Sequence, residues 1–151
     1  MPSVIEIDKK MFKRFQKDIL SIEKSSFITP WGLVQFIDEL SNPCSHIWGL
    51  MEEGELIGYI CFWTVLDEVH IMNIAIRPDM RRRGMAKFLL NELINSARQN
   101  NISKIWLEVR TSNKAALSLY EKMGFQKTGI RKGYYSDTKE DAIVMALNLK
   151  S

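Results

Sequence analysis

Residues 73–86 have the sequence NIAIRPDMRRRGMA. This stretch predicts the central elements of the fold, and the other elements are placed relative to it. Residues 71–76 form a short, almost continuously apolar run, which is typical of a β-strand covered on both faces. Pro78 and Asp79 end the run. The apolar residues that follow have a helical period: Phe88, Leu89, Leu90, Leu93, Ile94 and Ala97. The stretch therefore predicts a buried strand, a turn, and a helix that begins near Arg82.

The turn between this strand and this helix is suited to an anion. The first N–H groups of a helix have no partner within it and lie at the positive end of its dipole. Gly84 and Ala86 are small enough for a ligand to approach that backbone, and Arg81, Arg82 and Arg83 add positive charge. The pattern favours a phosphate or pyrophosphate site, although it is not a Walker loop. An ordinary strand-to-helix turn with a solvated basic rim is the alternative on spacing alone.

The order of the other elements predicts the fold class. Strands are expected near residues 4–7, 46–52, 56–66, 104–110, 125–131 and 142–148, with hairpin turns at residues 53–54 and 67–68. Helices are expected from Asp8 to about residue 25, from Thr29 and Pro30 to about residue 40 with Ile37 on its core face, and from Ser112 or Asn113 to Gly124. We predict an α/β fold whose mixed sheet has an antiparallel N-terminal meander, a central parallel pair, and helices on both faces.

Length and composition limit the classes of function. At 151 residues the chain is predicted to be one domain, residues 1–151, and its composition is that of a soluble globular protein. The net charge of +3 is too small to indicate a DNA-binding protein. No apolar run reaches the roughly 18 residues that a membrane span needs, and the N-terminus does not resemble a signal peptide. Two cysteines without a disulfide pattern favour a reducing, cytoplasmic location, and neither histidine has neighbours at metal-ligand spacing, so no metal is expected.

Glu108 and Tyr120 are the candidate catalytic residues. Glu108 alternates with apolar residues in the predicted strand at residues 104–110, and a carboxylate in a central strand beside a cleft is a candidate general base. Pairing with an arginine such as Arg110 is the structural alternative. Tyr120 lies on the helix that returns over this strand, so its phenol could face the same cleft. It could equally be a core aromatic.

Two motifs resemble a known family. Arg81-x-x-Gly84-x-Ala86, after a strand and opening a helix, resembles the acetyl-coenzyme A signature of the GNAT acetyltransferases. The run LEVRTSNKAALSLYEKMGF at residues 107–125 resembles the corresponding run of their RimI subfamily, the ribosomal-protein-alanine N-acetyltransferases. Residues 30–31, 67–68, 73–76, 134–135 and 140–147 resemble it too, so the resemblance extends from about residue 27 to residue 147.

The resemblance implies an acetyl-CoA-dependent N-acetyltransferase with a GNAT-type sheet. It implies that Glu108 is the general base, that Tyr120 is the general acid, and that Asn113 contacts coenzyme A. The pyrophosphate is then expected on the backbone of the turn, and the pantetheine arm along the strand. The residues expected to bind acetyl-CoA are Ile74, Ala75, Ile76, Arg81, Arg82, Arg83, Gly84, Met85, Ala86, Asn113 and Tyr120.

The expected acceptor is the N-terminal amine of a ribosomal protein, with alanine as the first residue. Trp31, Tyr134 and Tyr135 are the candidates for the peptide groove, and packing in the core is an equal alternative for Trp31. The protein is expected to be a monomer or a weak dimer. A lysine side chain or a small amine is an alternative acceptor, but its ordinary pKa near 10.4 asks more of a base than an α-amine near 7.7–8.0. A non-catalytic acetyl-CoA-binding module is the other alternative, and the presence of both Glu108 and Tyr120 argues against it.

The proposed acid raises a question of proton affinity. Proton transfer from a phenol with an ordinary pKa near 10 to the thiolate of a thiol with a pKa near 8.5 is uphill by about 2 kcal/mol. Either the site lowers the pKa of Tyr120, or Tyr120 mainly stabilises the leaving thiolate by a hydrogen bond.

Overall fold

Seven strands form one mixed sheet in the computed structural model, which describes residues 1–150. In chain order they are β1 (Ser3–Glu6), β2 (Ser45–Glu52), β3 (Glu55–Val65), β4 (Glu68–Ile76), β5 (Lys104–Arg110), β6 (Gln126–Arg131) and β7 (Ala142–Asn148). Across the sheet their order is β1-β2-β3-β4-β5-β7-β6. β4 and β5 are parallel, and the other neighbouring pairs are antiparallel. The predicted α/β fold with an antiparallel meander and a central parallel pair is confirmed.

Helices cover both faces of this sheet and create two separate cores. They are α1 (Lys9–Ser26), α2 (Leu33–Ser41), α3 (Met85–Gln99) and α4 (Lys114–Lys122). On one face α1 and α2 bury Phe12, Phe15, Ile19, Ile22 and Phe36 against Ile47, Tyr59 and Cys61. On the other face α3 and α4 bury Leu89, Leu90, Leu93, Ile94 and Tyr120 against Ile60, Ile71 and Ile105. Within residues 1–150 no helix has the length and apolarity to span a membrane.

The sheet splits between β4 and β5. It pairs with β3 throughout, and Met72 is an extra residue that makes a bulge between the pairs Cys61–Asn73 and Phe62–Ile71. Its pairing with β5 is much shorter and ends at His70, opposite Trp106. The two parallel strands therefore part beyond His70. They leave a V-shaped cleft along which the remainder of β4 has one unpaired edge.

Several predicted boundaries are confirmed. Asp8 is the N-cap of α1, and its carboxylate accepts a hydrogen bond from the amide of Met11 at 2.8 Å. Asn113 is the N-cap of α4, and Gly124, with φ of +97°, follows the end of that helix. Strands β5 and β7 have the predicted bounds. These elements begin and end where the local sequence alone satisfies the backbone.

The predicted start of α2 is wrong. The helix begins at Leu33 rather than at Pro30, with Gly32 as its N-cap. Thr29 does not cap it, because its hydroxyl donates to Asp137 at 2.7 Å, and the amide of Trp31 donates to Glu23 at 2.7 Å. Contacts with distant residues thus displace the local cap. Ile37 is also 46% exposed, so it does not lie on the core face.

The predicted start of α3 is wrong by three residues. The chain first forms a 3₁₀ turn at Pro78–Met80, and Arg82 and Gly84 then adopt left-handed backbone conformations with φ of 63° and 77°. A left-handed residue cannot continue a right-handed helix, so α3 begins at Met85, with Gly84 as its N-cap. The hairpin turn after β3 likewise includes Leu66, whose φ is 55°. The predicted strand to residue 66 is therefore one residue too long.

Candidate functional site

The turn between β4 and α3 presents a row of free amides. Among residues 82–88, the first amide that donates to a backbone carbonyl is that of Phe88, which donates to the carbonyl of Gly84 at 2.9 Å. Within residues 1–150 no hydrogen bond engages the amides of residues 82–87. The left-handed conformations of Arg82 and Gly84 curve this row into a concave nest, a geometry that binds anions. The turn therefore has a geometry that suits an anion, and binding of an anion there stays a prediction.

The side chains of the turn leave the nest open. A Cβ atom on Gly84 would have no heavy atom within 4 Å, so a ligand has room to approach this backbone. Arg81 is exposed too, but its side chain is engaged at the end of β4, where it donates to the carbonyl of Ile76 at 2.9 Å and to the hydroxyl of Ser26 at 2.9 Å. Arg82 and Arg83 are exposed and have no carboxylate partner in the described chain. Their charges remain available to an anion in the nest.

The unpaired edge of β4 connects this nest to the split with β5. Ala75 and Ile76 are buried, and Ile74 packs on the α3 side. Their side chains therefore belong to the two cores, and only their backbone faces the cleft. An edge of this kind offers alternating N–H and C=O groups to an extended ligand. Nest and edge together fit a long molecule that has a phosphate group at one end and amides along its arm.

Asn113 has a structural duty at the start of α4. Its side-chain oxygen accepts a hydrogen bond from the amide of Ala116 at 3.2 Å. Capping engages this oxygen and leaves the side-chain NH₂ group without a partner in the described chain. That NH₂ group is the part of Asn113 that a ligand could contact.

Glu108 lies on the α1–α2 face of β5, close to the apex of the cleft. Its side chain is only 7% exposed, and His70 and Arg131 each contact one of its oxygens. One oxygen lies 2.5 Å from His70 Nε2, and the other accepts a hydrogen bond from Arg131 at 2.9 Å. Burial alone would raise the pKa of Glu108, but His70 and Arg131 outweigh it and lower the pKa below the ordinary value. Glu108 is thus paired with an arginine, as the structural alternative expected, but the partner is Arg131, while Arg110 pairs with Asp137 at 2.6 Å.

Tyr134 and Tyr135 lie in the loop between β6 and β7, beside Glu108. Their rings meet edge to face, with centroids 5.1 Å apart. Arg131 lies over the Tyr134 ring at 4.4 Å, and Arg110 lies over the Tyr135 ring at 4.0 Å. Burial raises the pKa of Tyr135 to about 12, so both phenols are neutral at physiological pH. The loop thereby places two neutral aromatic hydroxyls next to an ionised carboxylate.

The loop between α1 and α2 meets this second loop across the mouth of the cleft. The hydroxyl of Thr29 donates to Asp137 at 2.7 Å, and Arg110 holds the same carboxylate. Trp31, from the first loop, packs edge to face on Phe36 with centroids 5.3 Å apart. Trp31 is half-buried, so part of its ring packs against the core on that side and part remains accessible to a ligand.

Tyr120 lies on the opposite face of the sheet from Glu108. It is 5% exposed, belongs to the α3–α4 core, and packs on Phe125 with ring centroids 5.5 Å apart. No hydrogen bond joins it to Glu108, and its hydroxyl has no partner in residues 1–150. Burial, and to a lesser degree Tyr135, raise the pKa of Tyr120. The phenol therefore keeps its proton and can act as a hydrogen-bond donor.

Sequence reasoning missed a buried carboxylate that supports β4. Glu23 of α1 is 1% exposed and accepts hydrogen bonds from Tyr59, from Asn73 at 2.9 Å and from the amide of Trp31 at 2.7 Å. Burial is the largest influence on Glu23 and raises its pKa. This network fixes α1 to β4 immediately beside the bulge. Its signal in the sequence is a glutamate among the apolar positions of α1.

His70 and Arg131 were also missed, although they hold Glu108. His70 interrupts the apolar positions of β4 and faces the same side of the sheet as Trp106. A polar residue between Val69 and Ile71 is the available signal. Arg131 gives no such signal, because its approach to Glu108 depends on β7 lying between β5 and β6 in the sheet.

The chain is similar in sequence and structure to known acetyltransferases. The acetyltransferase (GNAT) family model matches residues 14–125. The chain is 38% identical over 128 residues to the ribosomal protein bS18-alanine N-acetyltransferase of Escherichia coli K12, covering 83% of this chain and 86% of that protein. It is 36% identical over 152 residues to the protein of that name from Haemophilus influenzae, covering 99% and 100%. The crystal structure of the Escherichia coli ribosomal-protein-S18-alanine N-acetyltransferase matches with a TM-score of 0.89 at 32% identity, covering 100% of this chain and 96% of that one.

Proposed function

The chain belongs to the GNAT acetyltransferase family, and from this membership we propose that it transfers an acetyl group from acetyl-CoA to the N-terminal amine of a protein. One observation carries the proposal: the unpaired edge of β4 runs from the amide nest to the apex where Glu108 lies. A donor laid along this edge would have its charged end in the nest. Its reactive end would point toward the carboxylate.

The donor site is proposed to be made of backbone. The amides of residues 82–87 would bind the pyrophosphate, assisted by the exposed side chains of Arg82 and Arg83. The unpaired backbone of Ile74, Ala75 and Ile76 would pair with the amides of the pantetheine arm. The NH₂ group of Asn113 is proposed as a further contact of coenzyme A. Acetyl-CoA supplies the activated acetyl group, and these residues bind and orient it.

One backbone amide near Ile74 is proposed to stabilise the transition state. An N–H group on the unpaired edge of β4 can point at the position where the thioester oxygen becomes negative. The bulge at Met72 changes the direction of the strand just before this point. The chain can thus supply an oxyanion donor without any side chain.

The acceptor site is proposed to centre on Glu108. The buried, ionised carboxylate would draw the proton from the acceptor amine, directly or through a water molecule. An α-amine has an ordinary pKa near 7.7–8.0, so a sizeable minority is uncharged at neutral pH and little work is asked of the base. No covalent intermediate on the protein is needed. Buried Cys61, whose pKa burial raises to about 12, is not a nucleophile.

Tyr120 is proposed to donate a hydrogen bond to the leaving thiolate. Its raised pKa makes full proton transfer to a thiolate even less favourable than the ordinary values suggest. A neutral phenol, in contrast, remains a good hydrogen-bond donor to developing negative charge. The second of the two roles considered for Tyr120 is therefore the one we propose.

The proposed acceptor is an alanine at the N-terminus of ribosomal protein bS18. Support comes from the names of two relatives that match most of this chain at 38% and 36% identity. Trp31, Tyr134 and Tyr135 are proposed to line the groove for the first residues of the acceptor. An enzyme of this kind works where ribosomes are assembled, which places its proposed action in the cytoplasm.

Release of coenzyme A from acetyl-CoA tests this function with two short peptides. One has the first residues of bS18, a free N-terminal alanine and no lysine, and the other has a blocked N-terminus and one lysine. We expect turnover with the first peptide and none with the second. Turnover with the second peptide alone would overturn N-terminal transfer and favour the lysine acceptor.

A further inference from the structure

Glu23 is a buried carboxylate that the proposed chemistry does not use. It lies near the end of α1, is 1% exposed, and accepts hydrogen bonds from three neutral donors. These are the hydroxyl of Tyr59, the side-chain amide of Asn73 at 2.9 Å and the backbone amide of Trp31 at 2.7 Å. No cation pairs with Glu23 in the described part of the chain, and burial raises its pKa. Burying a charge without a counter-ion costs stability, so fastening α1 to the sheet does not by itself account for a glutamate here.

The contact with Asn73 reaches the strand that is proposed to hold the acetyl donor. Amides alternate in direction along a strand, and the amide of Arg77 donates to Ile57 of β3 at 2.7 Å. By this alternation the amide of Ile74 points away from β3, toward the cleft. The peptide bond that carries this amide begins at Asn73, directly after the bulge of β4. Because Glu23 holds the side chain of Asn73, it also holds the proposed oxyanion donor.

The contact with Trp31 reaches the loop at the mouth of the acceptor end. The amide of Trp31 fastens this loop to α1, and the hydroxyl of Thr29 fastens it to Asp137 in the loop after β6. The half-buried ring of Trp31 is a candidate for the peptide groove. The position of this wall of the groove therefore depends on Glu23.

Both contacts end on one carboxylate. Oε1 of Glu23 accepts from Asn73, and Oε2 accepts from Trp31. A carboxylate suits this position because both of its oxygens accept hydrogen bonds. The backbone of the donor strand and the backbone of the acceptor loop are thus held to a single group on a buried helix face.

We propose that Glu23 is a positioning residue, which sets the oxyanion amide of β4 and the wall of the acceptor groove at the distance that acetyl transfer requires. The inference rests on the proposed function and deepens it. A misplacement of about 1 Å between reacting groups can lower a rate about 10²-fold, so a fixed link between the two sides has a direct effect on turnover.

Tyr59 provides the comparison that separates positioning from stability. Its hydroxyl donates to the same carboxylate, but its ring is fully buried and packs edge to face on Phe36. Tyr59→Phe removes one buried hydrogen bond from Glu23 and leaves the contacts with Asn73 and Trp31 in place. This variant therefore shows what loss of stability alone does to the kinetics.

Glu23→Met removes both contacts and keeps a side chain of similar length and helix propensity. At a temperature at which the variants are folded, we expect kcat/KM for the alanine peptide to fall about 10–100-fold in Glu23→Met. In Tyr59→Phe it should stay within about threefold of the wild type. The Kd for acetyl-CoA, measured by calorimetry, should stay within about threefold in both, because the amide nest at residues 82–87 is intact. Similar values of kcat/KM in the two variants would overturn the inference.

Asn73→Ala tests the contact with β4 alone and leaves the buried position on α1 unchanged, so it remains informative if Glu23→Met does not fold. Glu23 keeps its contacts with Tyr59 and Trp31 in this variant. An oxyanion donor acts in the transition state rather than on bound substrate. We therefore expect kcat to fall about tenfold, with the KM for the peptide and the Kd for acetyl-CoA within about twofold of the wild type. A kcat within about threefold of the wild type would overturn the inference.

The two proposals fail in different ways. If the wild type is inactive on the alanine peptide, the proposed function fails, and the positioning role fails with it. If the wild type turns over the peptide and Asn73→Ala does so at a similar rate, only the positioning role of Glu23 fails. A fall in kcat without weaker binding of acetyl-CoA is the result that supports both.

Discussion

The amide nest at residues 82–87 and the cluster around Glu108 form two ends of one cleft, but the chain builds them differently. The nest is a single run of backbone, shaped by two left-handed residues, Arg82 and Gly84. The Glu108 cluster consists of side chains from β4, β5, β6 and the loop after β6. One end is local in sequence, and the other exists only after the sheet has formed.

This difference separates binding from chemistry. A backbone nest tolerates changes of side chain, and it recognises a part of acetyl-CoA that does not react. The Glu108 cluster depends on the charge and position of a few atoms close to the reacting nitrogen. Substitutions in the cluster should therefore lower kcat, whereas substitutions in the nest should weaken binding of acetyl-CoA.

Glu108→Gln should have the largest effect. The amide cannot take the proton of the acceptor amine, so we expect kcat for an alanine peptide to fall about 10²–10⁴-fold. Calorimetric binding of acetyl-CoA should be unchanged, because the nest is intact. Glu92→Gln, at an exposed position of α3, is the matched control. Undiminished turnover in Glu108→Gln would show that the acceptor end is not built on this carboxylate.

Tyr120→Phe should have the next largest effect. A hydrogen bond to a charged group contributes about 1.5–3 kcal/mol, which corresponds to a fall in kcat of about 10–100-fold with the KM for acetyl-CoA unchanged. The free energy of unfolding should change by less than about 0.5 kcal/mol, because the hydroxyl has no partner in the described structure. If steady-state kinetics gave an unchanged kcat, Tyr120 would be a core residue alone.

Gly84→Ala should affect the other end of the cleft. A non-glycine residue in the left-handed region costs about 1–2 kcal/mol, and the added methyl group would stand where a ligand approaches the backbone. We expect the Kd for acetyl-CoA to rise about tenfold, with kcat at saturation nearly unchanged.

Gly54→Ala is the control for the effect of strain at Gly84. Gly54 has φ of +80° and open space around its Cβ position, and it lies in the hairpin between β2 and β3. Both variants should lose similar stability in thermal unfolding, and only Gly84→Ala should bind acetyl-CoA more weakly. Equal affinities in the two variants would contradict the assignment of the nest.

Thr29→Val should have the smallest effect, at the mouth of the acceptor end. It removes the hydrogen bond to Asp137, worth about 0.5–1.5 kcal/mol, so the KM for the peptide should rise about 2–10-fold while that for acetyl-CoA stays constant. Thr128→Val is the control for loss of a threonine hydroxyl: it removes a longer hydrogen bond, 3.3 Å to the carbonyl of Val144, outside the groove. A change in the KM for acetyl-CoA would show that the two loops serve both ends of the cleft.

The same contrast explains how much could be predicted from the sequence. The order of strands, the parallel pair and the anion turn follow from local patterns of apolar, turn and small residues. The partners of Glu108 do not, because Arg131 reaches it only through the order β5-β7-β6. Boundaries failed for a related reason. The hydroxyl of Thr29 donates to Asp137, and the amide of Trp31 donates to Glu23. Local rules for helix caps do not include such distant partners.

The measurement that tests the central claim most directly locates the acetyl group on a single acceptor. A peptide with the first residues of bS18, a free N-terminal alanine and one internal lysine is incubated with acetyl-CoA and the wild-type protein. Fragmentation mass spectrometry then shows which nitrogen is acetylated. We predict acetylation of the alanine amine alone, since its ordinary pKa near 7.7–8.0 suits the base at the apex of the cleft. Acetylation of the lysine, with the alanine amine left free, would contradict the account.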